Sequence, residues 1–286
     1  MFKKDTQPHY LKHNHHADFE TIPAGSGSTM VVDSAGLWDD TNGRYLAWCG
    51  KDALKDWFDY IVENLDGTLW FFYGSKFDTH MIFKYMISHG IAVDKEKTML
   101  RGNVLYILGI LTKKGTVIVK DLTKFLVGSL DYNCKSFGVE QEYAKTSFDH
   151  AKCQNWEDVE TYKEERLLYL EQDVKAQRQL YLMSAEAVWK QHSLNLCDFV
   201  SMAQMANAIT TLYIPEGKKE RTLIDGSWIL KNQGWSSKRP NGHCNGINSV
   251  ISMYKDQKCS TCVGFEPLTS SLIASALPLD QQVLSI

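Results

Sequence analysis

Thr68-Leu-Trp-Phe-Phe-Tyr-Gly-Ser-Lys-Phe-Asp78 is the stretch that decides the fold class. The run through Tyr73 is dense in aromatic and apolar residues and has the length of a buried strand. Gly74-Ser75 breaks it as a turn, and a second periodic pattern from about Thr79 to His89 predicts a helix. Strand, tight turn and helix in that order imply an α/β layer with functional groups at the carboxyl end of the strand.

Working outward, Leu54, Trp57, Phe58, Ile61, Val62 and Leu65 recur at the spacing of an amphipathic helix. Ahead of it, Thr29-Met-Val-Val32 and Tyr45-Leu-Ala-Trp48, with Asp39-Asp-Thr-Asn-Gly43 as turn material, predict a meander. Beyond it, Leu105–Leu108 and Thr116–Val119 read as strands joined across Lys113-Lys-Gly115. Residues from about Trp156 to Gln191 predict one long helix, with Asp173 as the place considered for a break. Polar residues 1–17, holding His13, His15 and His16, are expected to form a flexible lead-in, with a metal tract as the other reading. Residues 18–213 are then one catalytic-type domain, and periodicity decays over 214–286, a poorly defined tail. A central mixed sheet flanked by helices is the architecture expected.

The chain has 286 residues, 44% hydrophobic and 23% charged, enough to bury a core without staples. Its net charge of −3 gives no global basic field, so any nucleic-acid contact must be local. Seven scattered cysteines without a secretory pattern are expected as reduced thiols in an intracellular, cytoplasmic setting. Cys259-Ser-Thr-Cys262, with His243 and Cys244 upstream, has the spacing of half a zinc site, and free thiols are the favoured reading. No long apolar run exists to span a membrane.

Three elements carry chemistry. Asp18-Phe-Glu20 puts two carboxylates at i and i+2, on one face of a strand, where they repel unless a cation sits between them. A chance pair on a surface strand is the competing reading. Asp78 follows the buried strand at its switch to a helix, which suits a ligand group or an ordinary N-cap. Tyr169 and Asp173, four apart, share a helical face, either of a cleft or of a solvated surface. Together the four carboxylates and the tyrosine suit two-metal phosphodiester hydrolysis, with cations about 3.5–4 Å apart.

These motifs, Asp18-Phe19-Glu20-Thr21, Lys76-Phe77-Asp78 and Tyr169-Leu-Glu-Gln-Asp173, resemble those of the DEDDy exonucleases. Between them, Asp121-Leu-Thr-Lys-Phe-Leu-Val-Gly-Ser-Leu130, Lys135-Ser-Phe-Gly-Val139 and Lys145-Thr-Ser-Phe148 are similar to segments of protein-primed family B DNA polymerases of phages, adenovirus-like viruses and linear plasmids. That resemblance implies a ribonuclease-H-like (DnaQ-like) fold and a proofreading 3′→5′ exonuclease. Asp18, Glu20, Asp78 and Asp173 would hold two Mg²⁺ or Mn²⁺ ions, Tyr169 would orient the attacking water and Lys145 would neutralise charge. Thr21, Phe77 and Tyr73 would contact the single-stranded DNA 3′ end, and a terminal protein and a separate polymerase domain would be partners. Two departures stand out. Gly74 replaces the asparagine usual four residues before the second-motif aspartate, and Leu122-Thr123 inverts a preferred Ser/Thr-Leu order. Gly246-Ile-Asn-Ser-Val250 stands near the expected first palm motif and lacks its aspartate. The chain is therefore expected to be truncated before the polymerase domain, without polymerase activity of its own. A stand-alone DEDDy nuclease on RNA or DNA and a non-catalytic DNA- or terminal-protein-binding remnant are the alternatives.

Overall fold

The computed structural model describes residues 4–23, 29–101, 104–140, 143, 148–213, 221–224 and 227–230. Two compact units divide the chain, Asp5–Met202 and the remainder.

The larger unit is built on a seven-stranded mixed sheet. Its strands are β1 (Asn14–Pro23), β2 (Met30–Asp39), β3 (Arg44–Cys49), β4 (Gly67–Phe71), β5 (Met99–Arg101), β6 (Val104–Thr112) and β7 (Gly115–Asp121), in the spatial order β3-β2-β1-β4-β7-β6-β5. The meander and the β6–β7 hairpin form antiparallel ladders, while β1, β4 and β7 run parallel in the centre. Parallel neighbours need crossovers, and α1 (Ala53–Asn64) and α2 (Asp78–Ser88) supply them on one face. The apolar stripe read from the sequence is what α1 buries: Trp57, Phe58 and Ile61 pack with Phe19, Leu37, Leu69, Phe71 and Ile82.

The opposite face carries α5 (Lys163–His192), which lies directly on β2 at Gly36. A Cβ at Gly36 would stand 2.9 Å from the Leu170 side chain and 3.2 Å from that of Val174, so glycine is what lets this helix approach the sheet. The long helix expected from residue 156 is two helices, α4 (Trp156–Thr161) and α5, and α5 runs unbroken through Asp173. The interruption falls at Tyr162, whose side chain turns into a small cluster with Ile22, Phe148, Cys153, Val159 and Tyr169. α3 (Leu130–Phe137), capped by Ser129, precedes α4.

Residues assigned to a flexible lead-in are largely held in place. β1 starts at Asn14, before the expected Asp18, because His15 and His16 pair in register with Leu69 and Trp70 of β4. Both rings are buried. Asn195 fixes the segment before β1, accepting the His9 and Tyr10 N–H groups on Oδ1 and donating from Nδ2 to Asp5.

In the smaller unit the described elements are α6 (Met202–Tyr213) and a hairpin of β8 (Arg221–Ile224) and β9 (Ser227–Leu230). The larger unit ends at Met202, the first residue of α6. The hairpin was not anticipated, although Asp225-Gly226 is a recognised two-residue turn sequence. Among the described residues no helix is long and apolar enough to cross a membrane. His243, Cys244, Gly246–Val250, Cys259 and Cys262 lie outside the described residues.

Candidate active site

β1 aims both carboxylates of Asp18-Phe-Glu20 at the face covered by α5. Asp18 pairs with Gly36 and Glu20 with Ser34 across the antiparallel ladder, and facing residues project to the same side. Phe19 between them points into the other layer, with ring centroids 4.8 Å from Trp57 and 5.3 Å from Phe71. The pair is thereby anchored by a buried aromatic wedge.

Beyond His16, β1 has no partner on β4. Asp78, the first residue of α2, takes that place, and its carboxylate accepts the Phe19 N–H. Asp78 is only 4% exposed. Burial pushes its carboxyl up to about 7, with the charges of Asp121 and Glu20 adding to the effect. The loop leading to Asp78 is tied down by Asp121 at the end of β7. Its carboxylate accepts the N–H groups of Tyr73 at 3.2 Å, Ser75 at 3.0 Å and Thr123 at 2.9 Å. Tyr73 is held there in the left-handed region, φ 67°, a cost that a side chain seldom bears without a local reason.

From α5, Tyr169 and Asp173 project toward the same place, both buried. Tyr169 packs against Phe148 and His150, with ring centroids 5.7 and 5.5 Å away. A cleft of about 490 Å³ is lined by Asp18, Glu20, Thr21, Tyr73, Phe77, Tyr169 and Asp173, together with Phe19, Met30, Phe72, Ser129, Leu130, Asp131, His150 and Gln177. It opens where the parallel pairing of β1 with β4 has ended, beside the carboxyl end of β4, the end at which open α/β sheets present their sites. Tyr73 and Phe77 are 44% and 41% exposed at its wall, a large uncovered area for two aromatics. Asp78 is not on the wall, being buried against the Phe19 backbone, and Lys145 lies outside the described residues.

Sequence reasoning missed Arg166. Its side chain is 1% exposed and forms a two-point pair with Asp33, Nε to Oδ2 and Nη2 to Oδ1, each 2.7 Å. Nη2 also donates to the Thr21 carbonyl at 3.2 Å and stands 3.6 Å from Glu20 Oε2. Arg166, Tyr169 and Asp173 stand at i, i+3 and i+7, so the spacing held a signal that one more residue belonged to the face. Asp33 reaches the arginine because the β1–β2 ladder slips between Glu20 and Thr21, leaving Asp33 as the extra residue of a bulge. His150, also missed, places Nδ1 3.4 Å from Glu20 Oε2. Gln177 fixes α5 to β4, donating to the Trp70 carbonyl at 2.7 Å.

Gly74 has a structural reason. A Cβ there would meet the Phe71 Cβ at 2.4 Å, so this backbone does not admit the asparagine usual at that position. The Ser-then-Leu order sought at Asp121–Thr123 occurs further on, as Ser129-Leu130, and both residues line the cleft. Asp121 itself has the anchoring role described above.

The cleft carries Asp18, Glu20, Asp131 and Asp173 on its wall with no lysine or arginine among the described lining residues. Such a field attracts divalent cations and the oxygen donors match Mg²⁺ or Mn²⁺. The carboxylates are spread more widely than one ion's ligand shell, since the described residues bring three candidate ligand groups within 4.8 Å only elsewhere, at His9, Cys197 and Asp198.

No protein-family model and no curated protein matches the chain. Solved structures do. Phi29 DNA polymerase complexed with primer-template DNA and incoming nucleotide is similar with a TM-score of 0.53 and 17% identity, over 68% of this chain and 33% of that one. The same polymerase complexed with single-stranded DNA gives 0.53 and 16%, over 68% and 34%, and its post-translocation binary complex gives 0.52 and 16%, over 68% and 33%. At this identity the likeness concerns the fold, which is ribonuclease-H-like: a mixed seven-stranded sheet flanked by helices. The chain spans about a third of the length of these polymerases.

Proposed function

We propose that the chain carries a 3′→5′ exonuclease of the proofreading type found in protein-primed family B DNA polymerases. The observation that carries this reading is the convergence of Asp18, Glu20, Tyr169 and Asp173 on one cleft, with Asp78 bonded to the backbone between the first two. The fold shared with phi29 DNA polymerase supports a DNA-replication setting.

Asp18, Glu20, Asp78 and Asp173 would hold two Mg²⁺ or Mn²⁺ ions. Burial, and after it the charges of Asp121 and Glu20, disfavour ionisation of Asp78, and a cation would offset the charge part of that effect. When bound, the ions supply charge neutralisation and acidify the attacking water. Tyr169, packed against Phe148 and His150, would orient that water through its hydroxyl. Phe77 and Tyr73 would stack on the terminal bases of a frayed single strand, and Thr21 would line its path. Lys145 would offset charge on the phosphate. A polymerase domain and a terminal protein would be the partners of the complete system, in the cytoplasm of a cell hosting a virus or linear plasmid.

Digestion of a 3′-labelled single-stranded oligonucleotide with Mg²⁺ tests the proposal. The parent chain is expected to release nucleotides one at a time, and the folded Asp18→Ala, Glu20→Ala double variant to release none. Equal inertness of both would overturn it, and faster loss of an RNA strand than of DNA would move the reading to a stand-alone RNA nuclease.

A further inference from the structure

Apart from the residues that line the cleft, His9, Cys197 and Asp198 bring an imidazole nitrogen, a thiol sulfur and a carboxylate oxygen within 4.8 Å of one another. His9 Nε2 and Asp198 Oδ1 are 2.9 Å apart although the residues are 189 positions apart in sequence. We propose that these three residues form a second metal site, for a borderline-soft cation of the Zn²⁺ class, that staples the segment before β1 to the turn after α5.

The surroundings are rigid on both sides. Asn195 binds the backbone of His9 and Tyr10 from the one segment and belongs to the other. The 3-10 turn Leu196–Asp198 is fixed from below by the buried Lys120 of β7, whose ammonium donates to the carbonyls of Cys197 and Phe199. His9 and Asp198 are about half exposed, so an ion has an entry path and water can complete a tetrahedral shell, whereas Cys197 is buried.

The donor set decides the metal class. A thiol and an imidazole select Zn²⁺ over Mg²⁺, the reverse of the carboxylate-rich cleft. Burial pushes the Cys197 thiol up to about 11, so without an ion it keeps its proton. The Asp198 charge pushes the thiol the same way as burial, while Lys120, Tyr181 and Asn14 act in the opposite sense on the same sulfur. Binding therefore forms the sulfur–metal bond and sends the thiol proton to solvent.

Cobalt substitution tests the site, in the full chain carrying Asp18→Ala and Glu20→Ala so that cleft carboxylates do not compete. One equivalent of Co²⁺ is expected to give a thiolate-to-cobalt charge-transfer band that Zn²⁺ abolishes and Mg²⁺ leaves intact. Cys197→Ser should remove the band, His9→Ala should weaken Co²⁺ binding about tenfold or more, and Cys259→Ser with Cys262→Ser should leave it unchanged. His9 is exposed, so its variant folds irrespective of Cys197. Absence of the band, its survival in Cys197→Ser, or its loss with the Cys259 and Cys262 replacements would overturn the proposal.

Discussion

Arg166 and Asp33 meet in a two-point ion pair buried beneath the cleft, with both nitrogen–oxygen distances at 2.7 Å. The pair joins α5 to the bulge of β2, and the same guanidinium holds the Thr21 carbonyl of β1. Three elements that carry candidate site residues or border them are thus fixed through one side chain. Replacing Arg166 with Met leaves Asp33 as an uncompensated buried charge, and a loss of about 3–5 kcal/mol is expected. Urea unfolding of the metal-free chain measures it. Arg166→Lys should recover only part, since an ammonium cannot make the parallel fork.

Asp121 is expected to act at a distance. Asp121→Ala releases the Tyr73 and Ser75 N–H groups and with them the loop that sets Phe77 and Asp78. Nucleotide release per bound oligonucleotide should fall while single-stranded DNA affinity changes less. A kcat and KM pair from single-turnover digestion separates the two, and an unchanged kcat would remove Asp121 from the positioning scheme.

Phe77 is expected to act in binding. Its ring is exposed at the cleft wall, and Phe77→Ala should weaken single-stranded DNA binding by about 1–3 kcal/mol. Fluorescence anisotropy with Ca²⁺ in place of Mg²⁺ reads this without turnover. Phe77→Trp should preserve it.

Gly74→Ala is expected to destabilise the chain by about 1–3 kcal/mol, since the new methyl falls onto Phe71. Phe71→Gly in the same chain, which removes the Cβ that stands 2.4 Å from the new methyl, should relieve the clash in a double-mutant cycle. Additive losses would mean that the loop moves aside instead.

The pH dependence has two opposed contributions. Burial holds His16 well below the ordinary 6.5 and His15 below it too. His15 donates from Nε2 to the Asp66 carbonyl and accepts the Asp40 N–H on Nδ1, which is the neutral ring. Below pH 6.5 the unfolded chain takes up protons that the folded chain does not, so these residues make stability fall as pH drops. Asp78 runs the other way: between its ordinary 3.8 and about 7 the folded state holds more protons, and stability falls as pH rises. In Asp78→Asn the histidine slope should stand alone from about pH 7.5 to about pH 5.5, and His16→Phe should flatten it. Urea midpoints across that range give the slopes.

Much of the fold was legible because it rests on short-range periodicity. The stripe of α1, the β4-turn-α2 switch at Gly74-Ser75 and the hairpin around Lys113-Lys114 each repeat at the spacing their structure requires. The start of β1 was not legible, because polar Asn14, His15 and His16 enter a strand only when β4 is there to bury them. Nor was the break at Tyr162, which follows from a cluster contributed by β1, the segment around Phe148 and α4.

By itself the sequence determined which residues share a face: Asp18 with Glu20 by strand alternation, Tyr169 with Asp173 by the helical turn. These are consequences of backbone geometry over a few residues. Only the tertiary structure decided that the two faces look into one cleft, that Arg166 lies beneath it, and that Asp78 is buried against the Phe19 backbone. Arg166 and Asp33 are 133 positions apart. No local spacing encodes such a contact, because it exists only once the bulge in β2 and the approach of α5 over Gly36 have brought the two charges out of water together.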